Sequence, residues 1–108
     1  MEGKELTRIV REEGIHITNY KGEPMIIKGD DAFRDIGEGG FSLTPDGPKF
    51  EPVKNEREDE YWVVVLKCED QYFEVRGDYN SWDGVYWDYA EFIEVKPVEV
   101  TTIEYVSV

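Results

Sequence analysis

Histidine and cysteine are almost missing from this chain, which holds one of each, His16 and Cys68, in 108 residues. No zinc site of the usual kind can be assembled from that supply within one chain. A histidine-based catalytic triad or dyad would have to use His16, which has no nucleophile beside it in sequence. Between Ile15 and Ile17, His16 is expected to point away from them, toward solvent. A single cysteine forms no internal disulfide, so a reducing compartment is the expected setting. Cys68 itself reads as a small hydrophobe at the end of an apolar strand.

Long apolar runs are also lacking. The most apolar segment, Tyr61-Trp62-Val63-Val64-Val65-Leu66, falls far short of the roughly 18 residues of a membrane span. The opening Met1-Glu2-Gly3-Lys4-Glu5 is not followed by an apolar signal segment. A cytoplasmic protein is the expectation.

Basic residues are scarce: twelve against 25 acids, a formal charge of -13. That excess repels phosphate backbones and anionic membranes, both of which are recognised through lysine and arginine. Direct nucleic-acid binding and membrane binding are therefore not expected. The same excess keeps a small protein soluble, and it would be attracted to a basic cleft on another protein.

What the chain does have is aromatic and β-branched residues. Hydrophobic residues make up 40% and aromatics 14%, a composition of folded rather than disordered chains. The length suits a single domain, residues 1–108. Leu6, Ile9 and Val10 share one helical face within residues 4–13, and Gly14 follows as a stop. Ile15–Tyr20 alternates as a strand, and Met25–Lys28 reads as a short second one. Asp30–Ile36 could form one helical turn. The stretch to Asn55 is punctuated by Gly39-Gly40, Pro45, Asp46-Gly47-Pro48 and Pro52, and is either a functional loop or a region of concealed strands. Phe41, Leu43, Phe50 and Val53 are the residues that would pin it to the core.

Asn55–Glu60 reads as a solvated charged turn. Tyr61–Leu66 is apolar on both faces, as a covered central strand would be. Glu69-Asp70-Gln71 is a hairpin-length link to Tyr72–Arg76, whose alternation leaves one face wet. Ile93–Val95 and the run from Val98 to Val108 complete the strands. The fold class is mainly β (α+β), an antiparallel twisted sheet or small partly open barrel with one short N-terminal helix.

Chemical motifs are thin. Asp78-Tyr79-Asn80-Ser81-Trp82-Asp83-Gly84 has a calcium-loop flavour, but Trp82 and Asp83 occupy positions where an EF-hand needs a ligand and a glycine. Gly37-Glu38-Gly39-Gly40 is followed by no Lys-Ser/Thr, so it is not a phosphate loop. No metal, no cofactor and no catalytic residue is indicated, and the chain is not expected to be an enzyme. The strongest signal is the aromatic loop, where Tyr79, Trp82, Tyr86, Trp87 and Tyr89 are interleaved with Asp78, Asn80, Asp83 and Asp88. Tryptophan and tyrosine bury much area at low entropic cost and keep a polar tip. Tyr79, Trp82, Asp83, Tyr86 and Trp87 are the candidate partner-binding residues, with the same rings capping the end of the fold as the plainer alternative.

The segment Tyr79-Asn80-Ser81-Trp82-Asp83-Gly84 with Trp87, then Glu94-Val95-Lys96-Pro97-Val98-Glu99 and the Val/Thr/Tyr tail, resembles small acidic bacteriophage accessory proteins. The resemblance covers the C-terminal half. It implies a protein made in a bacterial host that acts by binding, for instance by blocking a host enzyme or a defence protein through its basic surface. Two other readings stay open. One is a small-molecule, nucleotide-signal binder whose rings stack a base, with Arg34, Arg76, Lys28 and Lys96 as the available cations. The other is a structural or virion-associated protein pairing through an exposed strand edge.

Overall fold

The computed structural model describes residues 1–97. The strand expected from Val98 to Val108 lies outside the described residues. Helix α1 (Gly3–Glu12) buries Leu6 and Val10, the residues one turn apart on the expected face. It stops where Gly14 adopts φ 92, and the N–H groups of Glu13 and Gly14 both donate to the Ile9 carbonyl at 2.8 Å. A side chain at residue 14 would also press on the Ile27 carbonyl oxygen, 2.6 Å from an ideal Cβ. Glycine is required there twice over.

Strands β1 (Ile15–Thr18) and β2 (Pro24–Ile27) form the first hairpin. Asn19 holds its turn by accepting from the Lys21 and Glu23 N–H groups, each at 2.9 Å. Helix α2 (Gly29–Asp35) is longer than the single turn expected, and it buries Ala32 and Phe33. Full burial of Phe33 contributes about 2 kcal/mol, enough to hold a helix too short to persist alone.

The region that could have been a long loop contains strands β3 (Phe41–Ser42) and β4 (Lys49–Glu58). Phe41 and Phe50 face each other across this pair, their rings stacked 5.0 Å apart. Val53 does not pin the region to the core. A bulge between Pro52 and Lys54 turns it outward, and it is exposed. The charged run Asn55–Glu58 is also strand rather than turn, because each residue is paired across to Tyr61–Val64. Propensity was overridden here by the apolar partner strand.

Strands β5 (Tyr61–Cys68), β6 (Gln71–Asn80), β7 (Gly84–Tyr86) and β8 (Ile93–Val95) complete one antiparallel sheet in the order β2-β1-β3-β4-β5-β6-β7. The last strand lies beside β7 on the outer edge of β6, pairing at Tyr72–Glu74 while β7 pairs at Asp78–Asn80. The class is as expected: mainly β, curled into an antiparallel half-barrel with a short N-terminal helix, and a second helix added. Both helices contribute to the same core as Val64, Leu66, Phe73 and Val75 on one face of the sheet. On the opposite face Val63 is fully buried between cross-strand neighbours Glu56 and Arg76. The wet face of β6 is found as expected, with Glu74 and Arg76 in an ion pair at 2.7 Å. Among the described residues, no helix is long and apolar enough to cross a membrane.

Cys68 is buried in the main cluster, and burial first, then the neighbouring Glu69 charge, push its thiol up. The thiolate is the reactive form, so the native protein should react with a thiol reagent at pH 7 at least about tenfold more slowly than the unfolded chain. Equal rates in buffer and in denaturant would contradict that burial.

Candidate functional site

The loop after β6 turns sharply for local reasons. Asn80 accepts a hydrogen bond from the Trp82 N–H at 2.9 Å, and Gly84 sits at φ 87 where the chain re-enters the sheet. Residues 81–83 thus form a three-residue hairpin connection closed by a left-handed glycine. Trp82 rides on its tip and is 90% exposed. An indole held in water at a hairpin tip forgoes the burial that usually accompanies its size.

The five candidate residues do not form one exposed corner. Trp82 is at the tip. Tyr86 stands half in solvent, opposite Asp78 on the outer face. A hydrogen bond to Asp83 first, and the charges of Asp83 and Asp88 besides, push its phenol up. Tyr79 lies on the inner face, its ring 6.1 Å from that of Trp62 and covered by the Arg57 guanidinium at 4.5 Å.

Trp87 corrects the expectation most. It is 5% exposed, a core residue stacked on Phe33 at 6.1 Å, and only one side of it reaches a cleft. Gly77 in the middle of β6 makes the room. A Cβ there would meet Val85 and come within 2.8 Å of the Trp87 ring. Tyr89, not among the five, is instead 92% exposed.

Beside the tip the inner face of the sheet extends past the helices, leaving a cleft of about 320 Å³. Phe33, Trp62, Val64, Val85 and Trp87 line it, with Arg34, Glu38, Asn55 and Asp83 as its polar groups. Asn55 fastens two walls together. Its side-chain oxygen accepts from the Trp62 indole N–H at 2.6 Å, and its amide donates to the Gly37 carbonyl at 3.1 Å. Sequence reasoning missed Trp62, Asn55 and Glu38 because they come from separate strands and a loop. The register between Asn55–Arg57 and Trp62–Val64 is what gathers them. A second, larger groove of about 510 Å³ is lined in part by His16, Asp35, Glu38 and Lys49.

The loop joining β7 to β8 is clasped by Arg11. Its guanidinium donates to the Trp87 carbonyl at 2.6 Å and the Ala90 carbonyl at 3.0 Å, pairs with Asp30 at 3.3 Å, and lies 4.5 Å over the Phe33 ring. Asp88 approaches Asp30 in the same place. The hydrogen bond that protonated Asp88 donates to Asp30, and the Asp30 charge, raise the Asp88 carboxyl above its ordinary value, although Arg11 and Arg34 pull it down.

A carboxyl raised on folding binds its proton more tightly in the native state. Stability from this pair therefore rises as pH falls through the raised value, and the repulsion is fully present at neutral pH. Asp88→Asn should raise the thermal midpoint at pH 7. That advantage over the parent should shrink as the pH is lowered toward 4; a pH-independent difference would contradict the coupling.

Arg8, Lys54 and Arg76, like Arg11 and Arg34, sit in ion pairs with neighbouring acids, and in the whole chain acids outnumber bases 25 to 12. Among the described residues, no three histidine, cysteine or acidic side chains converge as a metal site. Compared with protein-family models, curated proteins and solved structures, the chain matches none of them.

Proposed function

We propose that this is a non-catalytic, acidic binding protein of phage type that occupies a basic surface on a host or defence protein. The observation that carries the reading is Trp82, held on a hydrogen-bonded turn yet 90% exposed, with Asp78, Asp83 and Asp88 in the same part of the chain. An exposed aromatic anchor on a strongly acidic chain suits a cationic partner: the charges accelerate encounter and the ring supplies buried area. The balance of charge supports this, because 25 acids stand against twelve bases, five of which are already paired with neighbouring acids.

The test is capture of host proteins on the immobilised chain, followed by affinity measurement on the purified partner. Binding should weaken at least about tenfold between 50 and 500 mM salt, as screening removes the long-range attraction. Affinity indifferent to salt, or a captured protein with an acidic contact face, would remove the proposal.

A further inference from the structure

We infer that the cleft beside the hairpin tip is a receptor for a guanidinium group, an arginine side chain of the basic partner. This rests on the binding reading above and assigns one residue type to one place in it.

The argument starts from the hydrogen-bonding groups the cleft has left to offer. The indole N–H of Trp62 is already given to Asn55, and the Asn55 amide reaches the Gly37 carbonyl. Arg34, the one base among the lining residues, is paired with Asp31 at 3.4 Å. Glu38 and Asp83 line the cleft with no basic partner among the described residues; Asp83 already accepts from the Tyr86 hydroxyl and keeps its remaining lone pairs and its charge. The polar capacity left over is thus mainly acceptor capacity with negative charge. A ligand must bring donors and positive charge.

The walls narrow the choice further. Trp62 and Trp87 present indole surface, and Phe33 stacked on Trp87 backs one side. A flat cation is drawn to aromatic faces, and guanidinium is planar, weakly hydrated and rich in donors. An ammonium group is compact and strongly hydrated, so it gains less from the rings. A nucleotide meets the rings equally well, but its phosphate faces Glu38 and Asp83 with Arg34 already engaged. The same protein shows the geometry in miniature: Arg57 lies over Tyr79 and Arg11 over Phe33, each 4.5 Å from the ring centre.

The test uses the ¹⁵N-labelled full chain and three small probes at millimolar concentration: the methylamides of N-acetyl-arginine, N-acetyl-lysine and N-acetyl-citrulline. Citrulline keeps the shape of arginine and lacks its charge. The arginine probe should shift the indole signals of Trp62 and Trp87 and the side-chain amide of Asn55 in a saturable way. Citrulline should give no saturable shift, lysine a response at least about fivefold weaker, and Glu38→Gln with Asp83→Asn should abolish the arginine response.

Shifts of equal strength from citrulline or lysine, or shifts confined to Trp82, would overturn the assignment. With the purified partner, the double variant should bind at least about tenfold more weakly. Undiminished binding by the double variant together with loss in Trp82→Ala would reject the arginine receptor and leave the tip as the contact.

Discussion

Trp82→Ala should lower affinity for the partner about 30-fold or more while leaving the thermal midpoint within about 1 °C of the parent. The two halves of that expectation have separate causes. A ring that is 90% exposed gives almost no burial to the fold, so its removal costs the native state little. The turn beneath it is held by the backbone N–H of residue 82 and by Gly84, both kept in the variant. In a complex the indole would become fully desolvated, and central tryptophans typically carry about 2 kcal/mol or more when truncated. Replacing single acids near the tip should have smaller effects that fade with salt, because exposed charges are screened. Calorimetric titration with the parent and the variant checks this. An unchanged dissociation constant would show that the tip is not the anchor.

The second large effect concerns stability. Arg11→Met should cost about 2–3 kcal/mol, seen as a thermal midpoint roughly 10 °C lower. Arg11 holds the carbonyls of Trp87 and Ala90, balances Asp30, and covers Phe33. Methionine keeps the apolar stem and abandons both carbonyls, while Asp30 and Asp88 are left facing each other without a cation between them. Because the arginine side chain is 27% exposed, water relieves part of the loss, which keeps the figure below that of a fully buried ion. Arg11→Lys should recover only a minor share, since a single ammonium cannot span two carbonyls and a carboxylate in the same plane. A midpoint within 2 °C of the parent in Arg11→Met would refute the clasp.

These two residues also mark how far the sequence could be read. The first helix, its glycine stop and the alternation of β6 are local signals, and all three are found in place. The sequence leaves open whether Trp82 contacts a partner or caps the end of the fold; the three-residue connection between Asn80 and Gly84 leaves its ring in solvent. The burial of Trp87 is not legible in the sequence, because it depends on an empty position ten residues earlier, at Gly77, that only strand pairing brings opposite. Strands β3 and β4 were hidden by prolines, by the outward bulge at Val53, and by the charges of Asn55–Glu58. Their identity comes from the neighbouring apolar strand. The cleft was unreadable for the same reason. Arg11 lies off the apolar face of Leu6, Ile9 and Val10, and nothing within ten residues of it names its partners.

The seat of the first helix has a consequence for synthesis. Thr7 accepts the Phe92 N–H at 2.8 Å across a separation of 85 residues, and Arg11 reaches Trp87 and Ala90 at separations of 76 and 79. Neighbouring hairpins can zip as they leave the ribosome, but these contacts of the first helix must wait until residue 92 is outside the tunnel. Until then its Leu6 and Val10 have no completed seat and are open to chaperones. A ribosome stalled with residue 92 still in the tunnel should therefore display a protease-sensitive N-terminus on an already paired sheet.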